Sequence, residues 1–323
     1  TTQQMADEVV MYGIDKFETR AIGKSFKEKY GTSISTTVLL GGKNSSRYVQ
    51  EHNNGKDLAD LVQGFVENNN ALIHADDDLI ADAEIPNWDK VMSDDYHEYL
   101  ANMYHSEKGA DLTVPLGGII GGTFAYNESL VDEPPKTWDD LLDDRFKGEL
   151  ILLNYNVSGV WDHYERQYGE EKADDFLVAL DNQNPTYIGG SPIAAVQKVG
   201  AGEAKVAPDS FLTHIAMLGK KGLPLGWQWP EFMWRQHWSL MLLENAPHFD
   251  AAKTFCQYAT SKEGQKAFSQ IFGGVDPAHE DLPHGNPDAE EKLQSYDGTI
   301  RPQAQTNDRE KYCDQKVEEL IGI

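Results

Sequence analysis

The first third of the chain is built of short β-prone runs that end on glycine, each followed by a stretch of helical period. Glu8 to Tyr12 is such a run, closed by Gly13. Phe17, Ala21, Ile22, Phe26 and Tyr30 then recur at near-helical spacing and predict a helix stopped by Gly31. Ser35 to Leu40, rich in Thr and Val, predicts a second strand running into Gly41 to Ser46, with a polar helix from about Arg47. Asp57 to Val62 predicts a third strand, followed by Gln63 and Gly64. Strands that alternate with helices predict parallel sheet topology.

Leu112 to Pro115 and Thr123 to Tyr126 are the next predicted strands, with Gly117, Gly118, Gly121 and Gly122 between them, and the first interdomain crossing is expected there. Thr137 followed by Asp140 is a capping-box-like helix start with Trp138, Leu141 and Leu142 on its apolar face. Glu149 to Leu153 opens a second strand–loop–helix series, with Asn154 to Gly159 as loop and Val160 to Tyr168 as helix. Ala204 to Ala207 predicts a strand and a helix from about Asp209. Trp227 to Leu243 is expected to return the chain to the first domain. Helices follow over His248 to Tyr258 and Ser261 to Phe272, and Asp308 to Leu320 predicts a closing helix. Asp276 to Thr306, rich in Pro, Gly and charge, is expected to wrap the surface.

The 323 residues predict two domains. The two series place residues 1–116 plus 240–323 in one lobe and 117–239 in the other. The fold class that follows is α/β.

A hydrophobic content of 40% supplies packed cores. No apolar run approaches the length of a membrane span. The formal charge of -25 argues against sequence-independent nucleic-acid binding and against docking on anionic lipid. Asp76 to Asp78 and Asp94-Asp95 form an acidic stretch that lacks the pattern of an EF-hand loop. Cys256 and Cys313 fit no zinc motif, and either a single disulfide or two packed thiols is open. Thr1 in place of an initiator Met predicts a processed or trimmed chain. No Gly-x-Ser-x-Gly elbow, phosphate loop or His-Glu-x-x-His motif occurs, so no catalytic residues and no cofactor are assigned.

Three segments carry a family resemblance. The strongest is Ala125-Tyr126-Asn127 through Leu130-Val131, then Pro134-Pro135-Lys136-Thr137-Trp138-Asp139-Asp140-Leu141-Leu142 and Phe146-Lys147-Gly148. The second is Val199 to Ala204, and the third runs from Asn245-Ala246-Pro247-His248 to Ser261-Lys262-Glu263-Gly264-Gln265. In this order they resemble the extracellular solute-binding proteins of ABC transporters, of the iron(III), thiamine and polyamine type. The resemblance covers roughly residues 6–272. It implies a two-lobed clamp with hinge crossings that captures a solute in an interlobe cleft and hands it to a membrane permease. It also implies a monomer outside the cytoplasm, in the periplasm or tethered to the outer face of the membrane.

Such a clamp builds its site from loops after strands, where helix N-termini offer free N–H groups. Four loops have that character: Gly13-Ile14-Asp15; Gly42, Lys43, Asn44, Ser45 and Ser46; Gln63-Gly64; and Ser158, Gly159 and Val160 after Asn156. Asp209 is a candidate cation partner. Trp227 and Trp229, joined by Tyr155 and Trp161, are candidates to stack on a planar or cationic group. Ferric-binding members carry two adjacent tyrosines after the strand matching Ala204 to Ala207, where this chain reads Ser210-Phe211-Leu212-Thr213-His214. The expected ligand is therefore a small polar or oxyanionic organic solute. Ferric iron, an iron chelate and a thiamine- or polyamine-like cation are the alternatives.

Overall fold

The computed structural model describes residues 5–39, 42–66, 69–75, 78–271, 274–302 and 307–323. The chain divides into two compact units, residues 1–118 with 236–290 and residues 119–235 with 291–323. The element order is strand β1 Glu8–Gly13, helix α1 Ala21–Tyr30, β2 Ser33–Val38, α2 Lys43–Asn53, β3 Leu61–Phe65, α3 Asn70–Ile73 and β4 Ile80–Ala81. Helices α4 Trp88–Val91, α5 Asp94–Tyr104 and α6 Glu107–Leu112 lead into β5 Val114–Gly121, within which the first unit gives way to the second. The second unit continues with β6 Thr123–Asn127, β7 Ile151–Leu153, α7 Val157–Tyr168, α8 Glu170–Asn182 and β8 Thr186–Ile188. Then come α9 Pro192–Gly200, β9 Val206–Ser210, α10 Leu212–Gly219, β10 Leu225–Gln228 and β11 Phe232–Leu243, which carries the chain back. The remainder is α11 Phe249–Thr260, α12 Lys262–Ser269, β12 Asp276–Pro277, α13 Pro287–Ser295, β13 Thr299–Pro302 and α14 Asn307–Ile321.

In the first unit, β1 runs parallel to β2 along its length and parallel to β3 through Met11–Leu61 and Tyr12–Val62. Strand β11 adds to β3 antiparallel, so Ser239 faces Gly64 and Leu240 faces Gln63. The helix boundaries follow local chemistry. Gly31 closes α1 in the left-handed region, with φ 78. The hydroxyls of Ser93, Ser106 and Ser261 accept from first-turn N–H groups of α5, α6 and α12. The core of this unit gathers Tyr48, Val62, Leu100, Tyr104 and Met241, all fully buried.

The second unit departs from the expected parallel arrangement. Its main sheet has the order β10-β6-β9, with β6 antiparallel to both neighbours. Helix α10 links β9 to β10 as a parallel crossover, and β6, entering from β5, lies between them in the opposite sense. Parallel pairing occurs between β7 and β8, in a separate ladder, and between β13 and the start of β11. Thr137 and Asp140 form the reciprocal pair read from the sequence: the Thr137 N–H donates to Asp140 Oδ2 at 3.0 Å and the Asp140 N–H to Thr137 Oγ1 at 3.2 Å.

Residues 291–323 lie with the second unit, where the sequence placed them in the first. The reason is an ionic and apolar seat for α14 on α7 and α8. Asp162, fully buried, meets Arg309 at 2.6 Å and Arg166 at 2.6 Å, and Lys316 meets Asp174 at 3.3 Å. Cys313 and Val317 complete the apolar side among Trp138, Trp161 and Tyr164. The segment expected to wrap the surface contains β12, α13 and β13 instead. Cys256 and Cys313 are both free and buried, in different units. Asp76 and Asp77 lie outside the described residues. Among the described residues no helix is long and apolar enough to cross a membrane, and no cluster of three His, Cys, Asp or Glu side chains is placed to hold a metal.

Candidate functional site

In the first unit the C-terminal ends of β1 and β3 and the start of α2 come together. The sequence placed Gln63 and Gly64 after a strand, but β3 begins only at Leu61 and both residues lie inside it. Just before β3, the buried carboxylate of Asp60 accepts from the Val10 N–H at 2.7 Å and the His248 N–H at 2.6 Å. Gln63 then points its side chain toward β1, where Oε1 accepts from the Ile14 N–H at 2.9 Å. Gly13 leaves room for that amide, since a Cβ on it would lie 2.8 Å from the Gln63 oxygen and displace it. Gly64 makes room for Asn44 in the same way, with Nδ2 2.8 Å from where its Cβ would be.

Helix α2 starts at Lys43, with Gly42 at its N-cap in the left-handed region at φ 75. Asn44 is tied to β3 through Nδ2, which donates to the Gln63 carbonyl at 2.7 Å. Asn69, beyond β3, donates to Ser239 Oγ at 3.1 Å, and Ser239 donates to the Gly64 carbonyl at 3.3 Å. Asn44, Gln63, Asn69 and Ser239 are all fully buried. Yet Asn44 Oδ1, Gln63 Nε2 and Asn69 Oδ1 have no hydrogen-bond partner. A buried polar atom left unpaired costs about 1–3 kcal/mol, so each of the three marks a place where a partner belongs. Asn69 and Ser239 were not singled out from the sequence. The signals available were the Asn run 68–70 after a strand and a lone serine in the apolar run Trp238 to Leu243.

Several expected roles do not survive here. Asp15 is held by Arg20 through two contacts of 2.6 and 2.8 Å, so its charge is already matched. Ser45 is buried and turns its hydroxyl to the Gly42 carbonyl at 3.1 Å, while Lys43 and Ser46 face solvent. Arg47 pairs with Glu51 at 2.8 Å and lies over the Tyr12 ring.

The second unit gathers its polar groups where β9 ends. The β6–β9 register steps from Thr123–Ser210 to Ala125–Ala207, so β9 carries one extra residue. Pro208 has no N–H to give the ladder, and Asp209 takes up the irregularity at φ 60. Asp209 is 7% exposed, accepts from Asn156 Nδ2 through Oδ2 and from the Gly122 N–H, and leaves Oδ1 without a partner. Burial pushes its carboxyl well above the ordinary range. Thr123 Oγ1, also buried, has no partner either. Burial lowers His214, in the first turn of α10, to about 4.

Helix α7 starts at Val157, earlier than expected, and Asn156 precedes it with its amide turned to Asp209. Ser158 and Gly159 therefore lie in its first turn, Ser158 7% exposed. Val160 and Trp161 belong to the core, and Trp161 donates through Nε1 to Asp174 at 2.8 Å, so neither is free to meet a solute. Tyr155 is exposed, and its hydroxyl is raised first by partial burial and then by Asp209. Trp227 and Trp229 sit 5.0 Å apart. The Trp227 face is covered by the chain's own Lys292, with Nζ 3.7 Å from the ring centre, and Trp229 packs against Tyr296 at 5.7 Å. That pair is a clasp for α13 and the segment after it rather than an open cage.

A family model of bacterial extracellular solute-binding proteins matches residues 57–298. A protein of Haemophilus influenzae described only as uncharacterized is 32% identical over 141 residues, which is 42% of this chain and 40% of that relative. The match thus spans less than half of the relative's length. Among solved structures, the periplasmic binding protein AfuA of Actinobacillus pleuropneumoniae, with fructose-6-phosphate bound, superposes with a TM-score of 0.68 at 21% identity, covering 98% of this chain and 100% of that one. Iron-bound HitA of Pseudomonas aeruginosa gives 0.71 at 18% identity, covering 98% and 100%. The spermidine/putrescine substrate-binding protein PotD of Streptococcus pneumoniae gives 0.75 at 16% identity, covering 98% and 98%. These likenesses are of fold, the fold of periplasmic binding proteins of ABC transporters. With the family match running through both units, from β3 nearly to β13, the chain belongs to the bacterial extracellular solute-binding proteins.

Proposed function

We propose that the protein is the extracytoplasmic solute-binding subunit of an ABC importer, which captures a small polar organic solute by hinge closure and delivers it to a membrane permease without chemical turnover. The observation that carries this reading is the pair of polar clusters at strand ends, Asn44, Gln63 and Asn69 in one unit and Asp209 with Asn156 and Thr123 in the other, each holding buried atoms without a protein partner. The chain crosses between its units within β5, β11 and α13, and the two strands are the hinge segments of this proposal. The N-terminus of α2, which begins at Lys43, suits an acceptor group of the solute, such as an oxyanion.

The structurally similar proteins carry different ligands, a sugar phosphate in AfuA and iron in HitA, so fold alone selects none of them. A cationic solute loses some of its expected supports in this chain, since Asp15 is engaged by Arg20, Trp161 is core and Lys292 already occupies the Trp227 face, which leaves Asp209 with its unpaired Oδ1. The test is native mass spectrometry of the purified protein, followed by a thermal-shift screen after removal of any co-purified solute. One solute per chain is expected, released unchanged. A hundredfold excess over Kd would add about 2.7 kcal/mol of stability. A folded, empty protein that no solute class stabilises would overturn the proposal.

A further inference from the structure

Among the described residues four that are not glycine hold a left-handed backbone: Glu84, His105, Asn184 and Asp209. The first three are exposed, and only Asp209 is buried. A non-glycine residue in that region persists where its surroundings over-determine it, and such residues gather at binding sites. Its carboxyl is used on one side. Oδ2 accepts from Asn156 Nδ2, and the Gly122 N–H donates to the same carboxyl, while Oδ1 has no partner. Asp209, Asn156 and Val157 line one narrow crevice, and Val157 is the first residue of α7. The crevice is too narrow for a water molecule, so no internal water serves Oδ1. Leu152 and Leu153 of β7 and Pro192 of α9 face it and are apolar. The titratable neighbour is Tyr155, more than half exposed, whose hydroxyl Asp209 raises. No Lys, Arg or His among the described residues pairs with Asp209.

We propose that Asp209 is a specificity residue of the solute site and acts as a neutral carboxylic acid: Oδ2 accepts from Asn156, and Oδ1 carries a proton that it donates to an oxygen of an anionic group, a phosphate or a carboxylate, at the start of α7. The proposal rests on the solute-binding reading above and names the charge of the solute. With Oδ2 accepting, the acid proton falls on Oδ1, the atom for which the protein supplies no acceptor. Burial without a cation holds the carboxyl well above the ordinary range, in keeping with this role. A cation drawn to Oδ1 would meet the positive end of a twelve-residue helix and the Asn156 donor beside it. An anionic oxygen meets a donor from each, and O–H···O⁻ bonds are among the stronger hydrogen bonds. The turn Asn154–Asn156 carries both the exposed Tyr155 and the crevice wall Asn156, so a shift of that turn opens Oδ1 to the solute.

The experiment uses the whole chain stripped of solute by unfolding and refolding. The probes are inorganic phosphate, sulfate, glycerol 3-phosphate, acetate, glycerol, glucose and putrescine. Melting-temperature shifts select binders and calorimetry ranks them. An anionic probe is expected to bind tightest, and phosphate against acetate separates the two sources of the anionic oxygen. Asp209→Gly suits φ 60 and removes the donor, and should weaken that probe by about tenfold or more. Asp209→Asn is expected to rescue it, because an amide N–H then stands in place of the Oδ1 proton while the carbonyl still faces Asn156. Measured from pH 5 to 9, the affinity of the wild type relative to Asp209→Asn should stay level or fall as the acid ionises. Comparing the two at each pH cancels the probe's own ionisation. If putrescine, glycerol or glucose binds tighter than every anion, the proposal falls while solute binding stands. An anion that Asp209→Asn weakens tenfold, or a wild type that gains on that variant as pH rises, also overturns it, since a carboxylate is then at work. Unchanged affinity in a folded Asp209→Gly protein overturns it too, leaving Asp209 as a structural residue. Should that variant not fold, Asp209→Asn and the pH series decide. No shift from any probe overturns the solute-binding reading and this proposal with it.

Discussion

The carbonyl of Gln63 accepts a hydrogen bond from Asn44 Nδ2 at 2.7 Å, and this single bond ties the end of β3 to the first turn of α2. Both residues are fully buried, so the bond has no water to replace it. Asn44→Leu is expected to cost about 1–3 kcal/mol, because it strands the Gln63 carbonyl. Gly64→Ala is expected to act on the same bond, by pushing its Cβ to within 2.8 Å of Nδ2. Urea unfolding of the two single variants and the double variant checks this. The two losses should be less than additive, since one bond is removed twice.

Asp209 predicts a pH dependence. Its folded carboxyl is raised by burial above the ordinary value of 3.8, so between the two values the native state holds a proton that the unfolded chain has lost. Stability then falls as pH rises from about 4 and levels off above the folded value. Asp209→Asn keeps an acceptor for Asn156 and tolerates φ 60, but it cannot ionise. The difference in unfolding free energy, wild type minus variant, should decline across that window. A flat difference in denaturant titrations from pH 4 to 8 would show that the carboxyl is not held protonated.

Lys292 lies 3.7 Å from the centre of the Trp227 ring and anchors α13 to β10. Lys292→Met retains the aliphatic stem and removes the cation, and should cost about 0.5–2 kcal/mol. Solute affinity should stay unchanged if Trp227 serves only as clasp. Thermal unfolding paired with calorimetry on the identified solute separates the two effects.

Arg309 reaches both Asp162 and Glu165 at 2.6 Å and seats α14 on α7. Arg309→Met should cost about 1–3 kcal/mol. Arg166 still meets Asp162 at 2.6 Å, which keeps the loss below that of a fully orphaned buried charge. Hydrogen exchange should show faster opening of residues 307–321 in the variant.

Much of the architecture was legible because it is local. Gly31 ends α1 where the helical spacing stops, and the Thr137–Asp140 pair exchanges bonds across three residues. The β-prone runs gave β1, β2 and β7 to within a few residues, and the ordered family segments gave the fold and the solute-binding family. These features depend on neighbours close in sequence or on a pattern that spans many positions. Gly13, Ile14, Asn44 and Gln63 were legible as candidates for the same reason, lying at predicted strand ends and a helix start.

Tertiary structure decided what each of those side chains has left to offer. Nothing in the sequence around Asp15 or Trp161 says that Arg20 or Asp174 will claim it, or that Lys292 will cover Trp227. The seat of α14 likewise depends on Asp162 meeting Arg309, 147 positions away. Asn69 and Ser239 stand 170 positions apart, and only the antiparallel pairing of β11 with β3 brings them to Gly64. Sequence determined the elements and the family, because propensity, capping and pattern act over short spans. Which polar atoms remain unpaired in the interior is settled by long-range packing, which exists only once the strands have taken their register.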